Sequence, residues 1–388
     1  MKKPRKIKRY RRIYGRRNSR GRTALKIGVF VVAIAAVGFI GYSIAGPFMD
    51  FINGEIEPSV PSSDSSESTP PPESSGSLSD TSEPQAEDTA LKAVTLPLET
   101  AQDPAALSAF LDQAKQSGAT AVVVELKDTA GQLLYASALP QAAEYGAVAE
   151  GALDLNTLAG AIEASGLKPV AKLSAFMDKT APNVARNNGY LYENTSSAWW
   201  DNSVDNGGKP WLNPYKAAAC DYLVAVQNEV IASGFETVIW HKVEFPEVRT
   251  FSSANMGAEA EGVSQQQALS NFIARCESEA EAAGGVVYIS YPVSASFGRN
   301  ASWFGGDPAA LGAKHVAPLL DFSSLSGLTV GETALDTADI QQAAKQVLTA
   351  FQPKVGEAEL LPMVEDTAQT DAVQAALTEL ELEGYVIP

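Results

Sequence analysis

Eight short apolar runs recur through the last three hundred residues, and they constrain the fold more than any other feature. They are Ala93–Leu98, Thr120–Leu126, Lys168–Ala175, Thr237–Val243, Gly285–Tyr291, His315–Leu320, Glu359–Val364 and Tyr385–Ile387. Between most of them lie segments with helical spacing: Pro104–Ser117, Leu155–Ser165, Tyr215–Ser233, Ser264–Ala283, Thr337–Phe351 and Thr370–Glu383. The segment between the fifth and sixth runs is short and poorly patterned. Runs such as TAVVVEL and GGVVYISY are apolar at every position, as strands covered on both faces must be. Strand and helix in alternation imply a parallel sheet. Eight such units in about 300 residues predict an α/β fold of the (β/α)8 TIM-like barrel type. An open doubly wound sheet is the alternative. No glycine-rich phosphate turn follows the first strand, so a nucleotide-binding version has little support.

The region ahead of the barrel has a different composition. Of the 29 basic residues, thirteen lie between Met1 and Lys26, where there is no acid, leaving 16 against all 46 acidic ones. A basic tail alone could bind nucleic acid. Residues 27–49, IGVFVVAIAAVGFIGYSIAGPFM, carry no charge, and a bilayer core needs about 20 such residues in a helix. Basic residues flanking a span stay on the cytoplasmic side. The expectation is a single-pass plasma-membrane protein, with residues 1–26 cytoplasmic, residues 27–49 spanning and contacting lipid, and the C-terminal domain extracellular. The rival is a cleaved signal peptide with its site near Ser43–Gly46, although such apolar regions usually span about 7–15 residues. Residues 50–90 are rich in Ser, Pro and acid. They cannot bury enough apolar surface to offset ordering, and they read as a disordered stalk. The barrel then occupies residues 91–388. Its acidity argues against nucleic acid as a partner.

Barrel enzymes draw working residues from the C-terminal ends of strands. The second run ends in Glu125, Lys127 and Asp128; the third in Lys172, Ser174 and Asp178; the fourth in Trp240, His241, Lys242 and Glu244. The fifth supplies Ser290 and Tyr291, the sixth Asp321, the seventh Glu365 and Asp366. A long loop after the third strand is dense in aromatic residues: Tyr190, Tyr192, Trp199, Trp200, Trp211 and Tyr215. Such a loop often has a function. It is either a platform for sugar faces or an ordinary loop core. Lys127–Asp128 and Lys242–Glu244 can equally be ion pairs closing the mouth. His241 can be a structural histidine. Two histidines, His241 and His315, do not make a His-rich metal site, no Cys/His spacing suggests zinc, and no cofactor or metal is expected. Cys220 and Cys276 lie in helical segments, where they are either bridged or two buried thiols.

Several pieces resemble the glycoside-hydrolase-like family DUF4015, whose members are exported bacterial proteins with an amylase-like barrel. They are AVVVELKDTAGQLLYAS, KPVAKLSAFMD, WLNPY, GFETVIWHKVEFP and, more weakly, LLPMVEDT. The resemblance implies a barrel that acts on or binds glycan. It also exposes departures. The family pattern D-Y-V-R at the end of the fourth strand becomes His241, Lys242, Val243 and Glu244, and no Asp or Glu occurs between Glu281 and Asp307. Glycoside hydrolysis ordinarily needs two carboxyl groups flanking the scissile bond, and both expected positions lack one. The expected role is therefore binding of cell-envelope glycan, with tentative catalytic positions Glu125, Asp128, His241 and Glu244. Substrate contacts would come from Lys172, Trp199, Trp200, Trp211, Tyr215, Lys242, Tyr291, Asp321 and Glu365. An active glycosidase with relocated carboxylates and a non-enzymatic envelope scaffold remain alternatives. The sequence does not set the oligomeric state.

Overall fold

A computed structural model of the protein describes residues 90–388. The basic tail, the apolar run 27–49 and the stalk lie outside the described residues. Among the described residues no helix is long and apolar enough to cross a membrane.

The fold is mixed α/β with a mostly parallel central sheet. The strands of its parallel path are β1 (Lys92–Leu96), β2 (Ala121–Lys127), β3 (Lys168–Ser174), β4 (Thr237–His241), β5 (Val286–Pro292), β6 (His315–Leu319), β7 (Glu359–Leu360) and β8 (Tyr385–Ile387). Each of the eight apolar runs overlaps one of these strands. Parallel pairing follows chain order from β1 to β7, and β8 pairs with β1. Met363 bridges Leu319 on one side and Val386 on the other. The pairing thus returns to its start, which is compatible with a TIM-like barrel.

The longer helices are α1 (Pro104–Gln116), α2 (Leu155–Ala164), α3 (Ala217–Ala232), α4 (Gln265–Ala282), α5 (Ile340–Val355) and α6 (Thr370–Glu379). Several starts carry the expected cap. The Asp103, Asp154, Ser264 and Asp339 side chains accept backbone N–H groups of the first turn, satisfying donors that the helix itself leaves unpaired. In α1, Leu107, Leu111 and Ala114 fall on one buried stripe, as a 3.6-residue repeat requires. No helix of this length forms between β5 and β6. Three 3-10 turns, Val293–Phe297, Ala301–Phe304 and Pro308–Leu311, replace it. Glycines at 298, 305 and 312 take left-handed backbone at their ends.

Two cores explain why the strands read apolar throughout. Ala93, Ala121, Val123, Val170, Ile239, Tyr288, Ala317, Leu361, Met363 and Val386 pack together on one face. The alternating set, including Val122, Val124, Ala171, Leu173, Val238 and Trp240, packs in the larger cluster with the helices. Side chains alternate along a strand with period two. The first set therefore continues, towards the strand C-termini, to Glu125, Lys172, His241, Ser290, Leu319 and Glu365.

Cys220 and Cys276 are free and buried. A disulfide, one of the two readings above, is not formed. Burial pushes the Cys220 thiol up to about 12 and that of Cys276 well above its usual value, so both behave as small apolar groups.

Candidate functional site at the strand C-termini

Strand alternation and one irregularity build the site. The pairing of β2 with β3 shifts register between Glu125 and Lys127. Such a bulge re-aims side chains. Glu125 remains at the mouth, with its side chain 43% exposed. Lys127 is fully buried, 2.9 Å from the Asp178 carboxylate and donating to the Ser174 carbonyl at 2.9 Å. The expected Lys127–Asp128 pair is therefore replaced by Lys127–Asp178. Asp128 instead accepts the backbone N–H groups of Ala130 and Gln132 at 2.9 and 2.8 Å, which folds its own loop as an Asx-turn does. Asp178 also accepts from the Thr180 and Ala181 N–H groups. Gly131 sits against it at φ +83°, where a Cβ would come 2.0 Å from Asp178 Oδ1. Only glycine allows the two loops to meet so closely.

Around Glu125 stand Lys172, His241 and Glu365. The Lys172 ammonium is 2.9 Å from Glu365 Oε1. His241 Nε2 lies 3.8 Å from Glu125 Oε1, beyond hydrogen-bond reach. That nitrogen is buried without a hydrogen-bond partner among the described residues. Burial, then the charges of Lys172, Lys242 and Lys127, holds the imidazole well below its ordinary pKa, so it is neutral at physiological pH. Burial raises the Glu125 carboxyl; Lys172 pulls it down, and Asp128 and Glu365 push it up.

Beside the mouth, Lys242 takes a left-handed backbone at φ +58°, uncommon for a residue with a side chain. Its ammonium reaches Glu244 at 2.9 Å and Glu247 at 3.4 Å. The Lys242–Glu244 pair expected from the sequence forms; Glu247 is the partner that sequence reading missed. Glu244 is 3% exposed in its side chain. Burial pushes its carboxyl up to about 7, against the pull of Lys242 and with the help of Glu247.

The aromatic loop is mostly a core of its own. Trp199 is fully buried, edge-on to Tyr190 and Phe251, and donates to the Thr250 carbonyl. Trp211 is 3% exposed and donates to Asp201 at 2.9 Å. Neither can stack on a sugar as placed, because no ring face is open. Tyr215 is half-buried against Phe245 and donates to the Val263 carbonyl. Trp200 and Tyr192 keep exposed surface. Tyr291 is a correction of the same kind. It lies on the helix-facing side of β5, 3% exposed between Phe304 and Phe351, because strand alternation gives the inward position to Ser290. Asp321 caps the short helix Phe322–Leu325 and accepts from Ser323, a structural duty. His315 sits at the opposite end of the sheet, at the start of β6, 3.8 Å from Glu359.

The mouth therefore gathers Glu125, Lys172, His241 and Glu365, with Asp128 and the Lys242–Glu244–Glu247 cluster adjoining. The family described as "Putative glycosyl hydrolase domain" matches residues 93–303, which include Glu125, Lys172, His241 and Glu244. The chain belongs to that family. One solved structure supports the fold. The glycoside hydrolase domain of PgaB (BpsB) from Bordetella bronchiseptica superposes with a TM-score of 0.56 at 13% identity, over 77% of this chain and 94% of that one. A hypothetical protein from Ruminiclostridium thermocellum is similar at 21% identity, over 50% of this chain and 96% of that one, with a TM-score of 0.45. The glycoside hydrolase domain of PelA from Pseudomonas aeruginosa is 18% identical over 71% of this chain and 89% of that one, with a TM-score of 0.36. No curated protein matches the chain. What is present is a glycoside-hydrolase-like domain.

Proposed function

We propose that residues 91–388 form a (β/α)8 barrel that binds carbohydrate of the cell envelope at the mouth just described, without two-carboxylate hydrolysis. One observation carries this reading. At the end of β4, where the family pattern has an acid, His241 presents a neutral imidazole to the mouth. An imidazole there can exchange hydrogen bonds with hydroxyl groups, but it cannot form the usual carboxylate glycosyl ester. The β5 position offers Ser290 rather than a second acid. Lys172, Glu125 and Glu365 supply the remaining polar contacts, and Trp200 is the indole of the aromatic loop with surface left for a sugar face. The apolar run 27–49 would hold this barrel to the plasma membrane, with residues 1–26 cytoplasmic. Alkaline carbonate extraction of membranes tests that placement, and release of the chain into the wash would refute it.

The binding reading is tested by sedimenting the full-length chain with peptidoglycan and wall polysaccharides while assaying reducing ends. Retention without new reducing ends, weakened by Trp200→Ala, is the expected result. Failure to bind any glycan overturns it.

A second reading has its own support. Glu125 and Glu244 both hold protons more tightly than ordinary carboxyls, as a general acid near neutral pH must. Under this reading reducing ends are released, and both Glu125→Gln and Glu244→Gln abolish the release.

A further inference from the structure

A slot on the flank of the barrel separates α1 from α2 and shares no residue with the mouth. It encloses about 790 Å³, within the size range of small-molecule sites. Side-chain length explains why it stays open. α3 and α4 are joined by Arg275–Asp221 and Asn228–Glu279, and α5 and α6 by Lys345–Glu379 and Gln341–Glu379. The slot's walls instead present Ser108 from α1 and Thr157, Ala161 and Ala164 from α2, which are too short to meet. The floor is apolar: Leu107, Leu111, Leu153 and Leu158 line it and are otherwise buried. One hydrogen bond closes each end. Gln102 donates to the Gly151 carbonyl at 2.8 Å, and the Lys115 ammonium donates to the Ser165 carbonyl at 2.8 Å. The helix rise from Gln102 to Lys115 gives the slot a length of about 20 Å. Its charge is one-sided. Asp154 stands near one end and Asp112 near the other, both exposed. Hydrogen bonds from Thr157 hold the Asp154 carboxyl below its ordinary value, so it is ionised at neutral pH. Among the described residues no lysine or arginine lines the slot.

We propose that this slot holds one alkyl chain of a bilayer lipid whose head group is neutral or cationic. The apolar floor and the two closed ends suit a thin chain that terminates inside. A partner helix, about 10 Å across, would run against both closures. Whichever end the head group occupies, it meets a carboxylate. Phosphate and carboxylate heads are therefore disfavoured. A second copy of this chain is disfavoured too, because a two-fold contact would set each acidic rim against another. The bilayer as source rests on the membrane placement proposed for residues 27–49. The site is otherwise independent of the carbohydrate reading, and it would give the barrel a second attachment to the bilayer.

The test is photolabelling of the full-length chain mixed with phosphatidylcholine vesicles. Three dodecyl probes carry a diazirine in the chain and differ only in the head: glyceryl, trimethylammonium or carboxylate. Mass spectrometry locates the label. The glyceryl and trimethylammonium probes should label residues 104–112 and 151–165 about tenfold more than the carboxylate probe does. Asp112→Lys should bring the carboxylate probe up to the others. Ser108→Trp and Ala161→Trp fill the slot from opposite walls, and each should remove the label while glycan retention stays as in the parent. Ser108 is exposed, so its replacement leaves the fold intact. Label spread evenly over the outer helices, or unchanged in both filled variants, overturns the slot as the site. Equal labelling by the three heads overturns the choice of head group. A parent dimer that the filled variants split into monomers makes a second copy the occupant and overturns the lipid. Labelling of the slot in a chain that retains no glycan overturns the carbohydrate reading alone.

Discussion

At the scale of single residues, Glu244 has the most measurable consequence. Its carboxyl is almost entirely buried and is held up at about 7, against 4.5 for the exposed group. Between those two values the folded protein keeps a proton that the unfolded chain has released. The stability that this proton contributes is fully present below about pH 4.5 and is lost as the pH rises through about 7. Denaturant unfolding across that window should show stability falling by about 1–3 kcal/mol from this group. Glu244→Gln, which keeps the shape and cannot ionise, should flatten the decline. A variant that keeps the full slope would mean that another group is responsible. Nothing in the residue order announces this behaviour. An acid two positions after a lysine reads as a surface pair, and only burial turns it into a proton-holding group.

Among the elements, strands and helices were legible and the aromatic loop was not, for one physical reason. Periodicity reports which face of a regular element is covered, so Val123 and Val124 can both be assigned to a core before any coordinate is known. The loop from 185 to 215 has no period, and its tryptophans are ambiguous between a platform and a plug. Burial decides in favour of a plug for Trp199 and Trp211. The same alternation that made β5 legible also corrects its site residue, since Tyr291 and Ser290 must face opposite ways. The inward series Glu125, Lys172 and His241 was readable from strand ends, whereas the Lys127–Asp178 pair depends on a bulge that no local pattern reveals. A consequence follows for Trp199. Truncation to alanine removes a fully buried indole and its hydrogen bond to Thr250, and should cost about 3–5 kcal/mol. Trp200→Ala should leave stability nearly unchanged and weaken glycan retention instead. Thermal unfolding and sedimentation of the two variants side by side separate the roles. If Trp199→Ala unfolded like the parent and lost only binding, the loop would be a platform after all.

For the whole molecule, the decisive feature is the return of the pairing to its start. β8 contributes three residues, yet it touches both sides of the gap. Lys92, Ala93 and Val94 pair with Tyr385, Val386 and Ile387, Val386 N–H donates to the Pro362 carbonyl and the Val386 carbonyl accepts from Val364. Val386 also fills the inner core with Ala93, Met363 and Leu361. Deleting residues 385–388 would therefore do more than remove a few contacts. It would expose two unpaired strand edges, on β1 and on the segment after β7, each a template for pairing with another chain. It would also open the inner core directly beneath Glu125, Lys172 and His241. The truncated chain should lose its sharp unfolding transition and associate in size-exclusion chromatography, with glycan retention lost in step. If the strands merely formed an open sheet, β8 would be an expendable edge, and the truncated protein would remain monodisperse, unfold cooperatively and still bind. The two outcomes are far enough apart for one chromatogram and one melting curve to decide between a closed ring and an open sheet.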